Sequence, residues 1–444
     1  MPVSEATAMD PSRRAAPRAA PPSPMSSSLS ELVARLERAL EAAAPVRVAG
    51  LRGSGPALCL ARLLARRPRA ALVVAATAAE AEAFAADLRF LLGDEAAATP
   101  LARRVHYLPG WEVPPFEPLS PPRETVAARA EGLYHLVHTT APVVVTTAEA
   151  WGLRCLPRAE LAAAVTYVVA GETVTPDALV ARLVEWGYHR VPLVQDPGDL
   201  ALRGGILDVF PVGYGEPARL EFMGDAIESM RAFDPTSQRS LGAVDELLLL
   251  PLAEFGRARL GPESARAIDE RAAELGLARR ERRDLVEAVR TGLVLPGTEF
   301  LLPYFYADLG RMADYLPPDT VLWLQAPAEV EAAAEAGWVQ VEAHAADAAR
   351  EGRFHPPPER LYLPPAAWRE GLAGRPRVEA EAIDVLDDAA LVATSYSTDG
   401  LALRDPAARD GPLAAVAAEL AGWQRQGARL VVVATGAAQR KRIR

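Results

Sequence analysis

Over the first 150 residues, short apolar runs alternate with stretches of helical period, and this constrains the fold more than any other feature. VRVAGLRGSGPALCLARLLARR reads as a strand, a Gly-rich turn and a helix. AALVVAA (70–76) reads as a second strand, and TAAEAEAFAADLRFLL (77–92) as a helix capped by Thr77. VHYLPG (105–110) and APVVVTTAEA (141–150) complete four strands, the last leading into a helix. Strands separated by helices pair in parallel, so the expectation is an α/β layer with a largely parallel sheet. Folding is expected to start near Ser30, a candidate cap for ELVARLERALEAA. The Pro-, Ala- and Ser-rich residues 1–29 lack the apolar core of a signal peptide and read as a disordered tail.

From residue 152 the pattern changes. The strand AAVTYVVAG precedes the helix TPDALVARLVEWG, with Thr175 as cap and Pro176 at its first position. Closely spaced strands follow: 188–194, 200–204, 206–211, 218–224, 226–234 and 245–251. Residues 152–252 therefore read as a β-rich antiparallel insert of roughly 100 residues. The α/β unit of 30–151 is expected to resume over 253–372. That part contains a charged helix, LARRERRDLVEAVR, the strand DTVLWLQ and a Pro-rich extended connection, 353–368. Residues 373–444 read as a small α/β domain whose last helix stops almost as it starts, so the chain reads as truncated inside a domain.

Gly50-Leu51-Arg52-Gly53-Ser54-Gly55-Pro56-Ala57 has the glycine spacing of a phosphate loop between a strand and a helix. Its chemistry is missing. Pro56 stands where a lysine reaches the β/γ-phosphates, and Ala57 where a hydroxyl holds Mg²⁺. Proline also removes a backbone N–H from a loop that works through such donors. The only lysine in the chain is Lys441, which excludes Schiff-base chemistry elsewhere. No nucleophile constellation appears, so no catalytic residue, cofactor site or metal site is assigned. His135 and His138 are three apart on a helical stretch and read as surface or half-buried side chains rather than a metal pair. Cys59 and Cys155 sit in apolar surroundings and read as buried thiols of a protein of the reducing cytoplasm. With 48 Lys+Arg against 58 Asp+Glu, the net charge of −10 disfavours indiscriminate DNA binding. No run of about 20 apolar residues exists, so no membrane contact is expected.

The insert mixes charged and apolar residues in alternation. Arg219 and Glu221 share one face of their strand, and Arg203 precedes the pair Gly204-Gly205. Arg190, Arg203, Arg219 and Glu221 are candidates for one charged surface, suited to carboxylate or phosphate contacts. A merely solvated sheet face is the alternative.

Several motifs resemble one family. They are Leu108-Pro109-Gly110-Trp111-Glu112 with Pro114-Pro115-Phe116-Glu117, then Arg123, Arg129 and Leu133-Tyr134. They continue through Gly187-Tyr188-His189-Arg190-Val191, Leu202-Arg203-Gly204-Gly205-Ile206-Leu207-Asp208-Val209-Phe210-Pro211, the stretch 233–240, Leu301-Leu302-Pro303-Tyr304-Phe305-Tyr306 and Asp314-Tyr315-Leu316. Over about 30–444 the chain resembles the N-terminal, UvrB-like portion of bacterial transcription-repair coupling factors, ATP-driven translocases that clear stalled RNA polymerase and recruit excision repair. The resemblance implies a degenerate nucleotide loop and an insert that binds UvrA. By motif position the UvrA contacts fall on Arg190, Arg203, Arg219 and Glu221, with His189 beside them. Ala201 departs from UvrB, which has an arginine there. The family also implies a C-terminal masking domain, polymerase and DNA contacts, and ATP and Mg²⁺ in motor domains, all beyond residue 444. The contrasting readings are an ATP-dependent helicase or UvrB-type damage-verification ATPase, and a pure DNA-binding module.

Overall fold

A parallel sheet covered on both faces needs strands apolar at every position, and the central strands have that character. The computed structural model describes residues 29–41, 45–94, 99–382, 391–392 and a few positions between 417 and 425. Its first elements are α1 (Leu29–Glu41), β1 (Pro45–Ala49), α2 (Gly55–Arg66), β2 (Ala71–Ala75) and α3 (Ala78–Leu92). β3 (Val105–Leu108), α4 (Arg123–His138), β4 (Val143–Thr147) and α5 (Ala148–Gly152) follow. Thr77 caps α3, its hydroxyl accepting from the Glu80 amide while the Glu80 carboxylate accepts from the Thr77 amide. Ser30 lies within the first turn of α1 rather than ahead of it.

The insert and the second half supply the rest. α6 (Arg158–Ala164), β5 (Thr166–Val169) and α7 (Pro176–Glu185) lead to β6 (His189–Arg190), β7 (Asp199–Arg203) and β8 (Ile206–Val209). Then come β9 (Ala218–Met223), β10 (Ala226–Phe233), β11 (Ser240–Ala243) and β12 (Glu246–Leu249). α8 (Pro262–Glu274), α9 (Arg279–Arg290), α10 (Leu302–Phe305), β13 (Val321–Gln325), α11 (Pro327–Arg350) and α12 (Pro365–Glu370) precede β14 (Arg377–Ala380) and β15 (Leu391–Val392).

The main sheet runs β15-β1-β14-β13-β2-β4-β3, with every pairing parallel. Alternation splits its side chains between two cores. Val73, Val143, Val145 and Trp323 face α1, α2 and α3. Leu72, Val74, Val144, Leu322 and Leu324 face α5 and α11. The expected break at residue 373 falls within this layer, because β14 sits between β1 and β13 and β15 flanks β1. The helix and strand read over 413–434 lie outside the described residues apart from a few positions. The tail 1–28 also lies outside them. The Pro-rich segment is more than an extended connection. It holds α12, and Leu361, Leu363 and Trp368 are buried. Its backbone also pairs with residues 152–154, Arg154 N–H donating to Leu361 and Leu363 N–H to Gly152. Residue 152, expected to open the insert, is therefore tied to the main body.

The insert is a six-stranded sheet, β11-β10-β9-β8-β7-β6, with α7 on its buried face. Three expectations change. The strand at 188–194 shrinks to His189–Arg190, since Pro192 cannot donate to a ladder. That edge strand is parallel to β7, not antiparallel. The apolar run at 245–251 leaves the sheet and pairs with β5. β11, which sequence reading missed, takes the edge; all four of its residues are exposed, so no burial pattern marks it.

Candidate protein-binding surface

The nucleotide-loop remnant folds into a tight turn. Gly50 and Gly53 take positive φ, 83° and 55°. The Gly55 amide donates to the Arg52 carbonyl at 2.9 Å, closing the turn on itself instead of facing outward. Pro56 and Ala57 are buried in the first turn of α2. Neither side chain carries a donor or a metal-binding oxygen.

The insert's outer face has a different chemistry. Gly204 and Gly205 form a two-residue hairpin turn, with Gly204 at φ 61°. That turn sets Arg203 opposite Ile206 and Ala201 opposite Asp208. The next strand continues both rows, placing Glu221 beside Ile206 and Arg219 beside Asp208. β10 adds Ser229 to the first row and Arg231 to the second. All these residues lie on one face of the sheet.

Asp208 is the hub. It is fully buried, and both of its oxygens are taken. Arg219 donates through Nε to Oδ1 at 2.7 Å and through Nη2 to Oδ2 at 2.9 Å; Arg203 donates to Oδ2 at 2.7 Å. Arg219 stacks over Phe233, 4.7 Å from the ring centre. The hydrogen bond to Asp208 raises its guanidinium above its ordinary range, against the pull of burial. Arg203 is half-exposed (51 %). Arg231 pairs loosely with Glu221 at 3.7 Å, and Ser229 donates to Glu221 at 2.6 Å. Ile206, Met223 and Leu241 are exposed large apolar side chains on these strands. Three arginines against two carboxylates leave the patch cationic, with apolar residues interleaved.

Arg203, Arg219 and Glu221 thus meet as expected from their positions. Arg190 does not join them. It is in register with Leu200, whose side chain points into the core, and is one residue out of phase with the Asp208 row. His189 is engaged elsewhere, accepting from Arg123 of α4. Burial and the neighbouring Arg123 push its imidazole down, so it stays neutral and able to accept. Ala201 is buried with Val194, Phe210 and Phe233, an apolar pocket beneath the patch. Sequence reading missed the roles of Asp208, Arg231 and Ile206. Counting outward from the Gly-Gly turn would have placed Asp208 opposite Ala201, on the same face of the sheet as Arg203.

The other motifs make interior contacts. Glu254, just after the insert, accepts from Trp111 Nε1 at 2.9 Å and from Arg129 Nε. Arg129 also donates to the Pro109 carbonyl at 2.8 Å. His135 is buried and stacks on His106 at 4.0 Å, whose Nδ1 lies 2.8 Å from Glu131. His138 stacks on Tyr134 instead, so the two helical histidines do not converge. Among the described residues no group of three or more potential metal ligands converges. Both cysteines are buried free thiols, and burial pushes Cys59 up to about 12.

The imidazole cluster predicts acid sensitivity. Burial first, then neighbouring His106, lowers His135 from 6.5 to about 3. Below pH 6.5 the unfolded chain takes up a proton that the folded chain refuses, so stability falls as pH falls towards 3. The slope from this residue is about 1.4 kcal/mol per pH unit. Urea unfolding at pH 6 and pH 5 measures it; His135→Phe should flatten the difference.

Residues 167–255 match the UvrB interaction domain. Over 333 residues, 72% of its length, the chain is 38% identical to the transcription-repair-coupling factor of Myxococcus xanthus, covering 27% of that protein. It is 31% identical over 216 residues, 48% of its length, to the Escherichia coli protein of the same name, covering 19% of it. The UvrABC system protein B of Thermus thermophilus is 26% identical over 307 residues, 63% of this chain and 45% of that protein. The chain therefore spans about a quarter or less of the coupling factors it matches. The resemblance read from its motifs is borne out. No helix among the described residues is long and apolar enough to cross a membrane.

Proposed function

We propose that this chain, similar over most of its length to part of the transcription-repair-coupling factors, is a non-hydrolysing adaptor that docks UvrA. The insert supplies the docking surface, and the parallel-sheet unit is a scaffold that no longer uses ATP. In a full-length protein this module would link stalled RNA polymerase to nucleotide excision repair, with polymerase, DNA and ATP handled by other domains.

One observation carries the reading. A buried carboxylate, Asp208, holds two arginines in fixed orientations on a rigid sheet, and one of them reaches solvent. Such preorganised guanidinium groups suit pairing with carboxylates across an interface, because little rotamer freedom is lost on binding. The scaffold half of the proposal rests on the buried Pro56 and Ala57 and the inward-turned Gly55 amide.

Titrating the purified chain with UvrA at two salt concentrations tests the proposal. Saturable binding that weakens several-fold between low and physiological salt is expected. Phosphate release from ATP by the chain alone should match the protein-free blank. No binding at micromolar UvrA would overturn the docking assignment, and turnover abolished with the chain's removal would overturn the scaffold assignment.

A further inference from the structure

A concavity on the main sheet carries chemistry that partner docking leaves unused. β2 passes its chain to α3 on one face of the sheet, whereas β4 and β13 pass theirs to α5 and α11 on the other. Diverging connections open a crevice beyond the carboxyl ends of the strands, the usual ligand position in open α/β sheets. Here the crevice is a cavity of about 520 Å³, formed where Ala76, Ala148 and the 112–115 segment meet α11. That volume falls within the range of small-molecule pockets. The degenerate loop lies elsewhere, after β1, and lines no part of it.

The cavity walls are largely apolar and include Trp338, Val341 and Tyr362. Gly337 of α11 also lines it, and a Cβ there would meet nothing within 4 Å. Two carboxylates, Glu112 and Glu149, reach the same space, along with His344. Glu112 accepts from the Thr125 hydroxyl at 3.0 Å and sits at φ 60°, a strained backbone state for such a residue. Glu149 has no hydrogen bond or ion pair among the described residues. Partial desolvation raises its carboxyl above the ordinary range; Arg129 opposes this and Glu112 adds to it. Glu149 is exposed at the rim of this apolar cavity, and an unpaired carboxylate beside indole and phenol faces attracts a cation.

We propose that this cavity binds a small organic cation on a flat apolar body, with its charged group against Glu149 and its body against Trp338 and Tyr362. The site is independent of the docking face, so UvrA binding and cation binding are separable.

Benzamidine is the probe and benzamide its neutral match, each titrated into the full chain and followed by ligand-observed NMR. Benzamidine should bind with a sub-millimolar Kd, and benzamide about 10-fold or more weakly. Glu149→Gln, which keeps the shape and removes the charge, should weaken benzamidine by a similar factor. Gly337→Leu, which fills the cavity from α11, should abolish binding with an unchanged circular dichroism spectrum. Equal binding of the two probes, unaltered affinity in Glu149→Gln, or no binding at 10-fold above millimolar probe would overturn the assignment.

Discussion

Arg203→Glu is expected to weaken UvrA binding by about 100-fold or more while leaving the far-UV circular dichroism unchanged. Two effects act together. The substitution removes the most exposed guanidinium of the patch, and removing one partner of a hydrogen-bonded interfacial charge pair costs about 2–5 kcal/mol. It also places a carboxylate beside Asp208, reversing the local field that steers an acidic partner. The sheet should persist, because Arg219 still satisfies both Asp208 oxygens. Arg190→Glu makes the sharper control. Arg190 lies out of register with the Asp208 row, so its reversal should change affinity by no more than about 3-fold, a rim effect on association rate. Titration of both variants at one salt concentration decides the matter. Equal losses from the two would mean that overall charge, not the Asp208-held geometry, drives docking.

Glu254→Ala is expected to cost the largest share of folding stability, about 3–5 kcal/mol, by stranding a buried cation. Arg129 is 2 % exposed and, among the described residues, has only the Pro109 carbonyl as a further partner. The Trp111 indole N–H would lose its acceptor as well. The network ties three distant pieces of sequence together: the 108–112 segment, α4 and the residue that follows the insert. Its loss should therefore lower the thermal midpoint of the main body and the insert together. Differential scanning calorimetry of the variant measures this. Adding Arg129→Met should recover part of the loss, because the uncompensated charge goes with the arginine. A midpoint unchanged by Glu254→Ala would show that water solvates Arg129.

Much of this was legible from periodicity and turn chemistry. The strands at 71–75, 105–108 and 143–147 are short runs dominated by β-branched and other apolar residues, and Thr77 and Thr175 mark helix starts. What sequence could not show was which distant strands become neighbours. β14 has only four residues and fell inside the segment read from 373 as another domain, yet it fills the gap between β1 and β13. The docking patch was legible in part. Arg203, Arg219 and Glu221 fell out of strand alternation, but Arg190 is displaced because its strand pairs in parallel with β7 in register with Leu200, one residue out of phase with the Asp208 row. Asp208 was hidden by its own burial, an acidic residue between apolar neighbours with no signal except its register from the Gly-Gly turn.

The placing of β1 has a consequence for synthesis on the ribosome. Its strand neighbours, β14 and β15, arrive more than 300 residues after it: Arg47 pairs with Glu379, 332 positions later. At about 5–20 residues per second, translation leaves β1 without a lateral partner for roughly 15–65 s. During that interval the nascent polypeptide carries two bare edges and the apolar side of α2, a state that invites chaperone capture or mispairing. Slowing elongation anywhere between codons 50 and 370 should therefore lower the yield of native protein more than slowing it before codon 45.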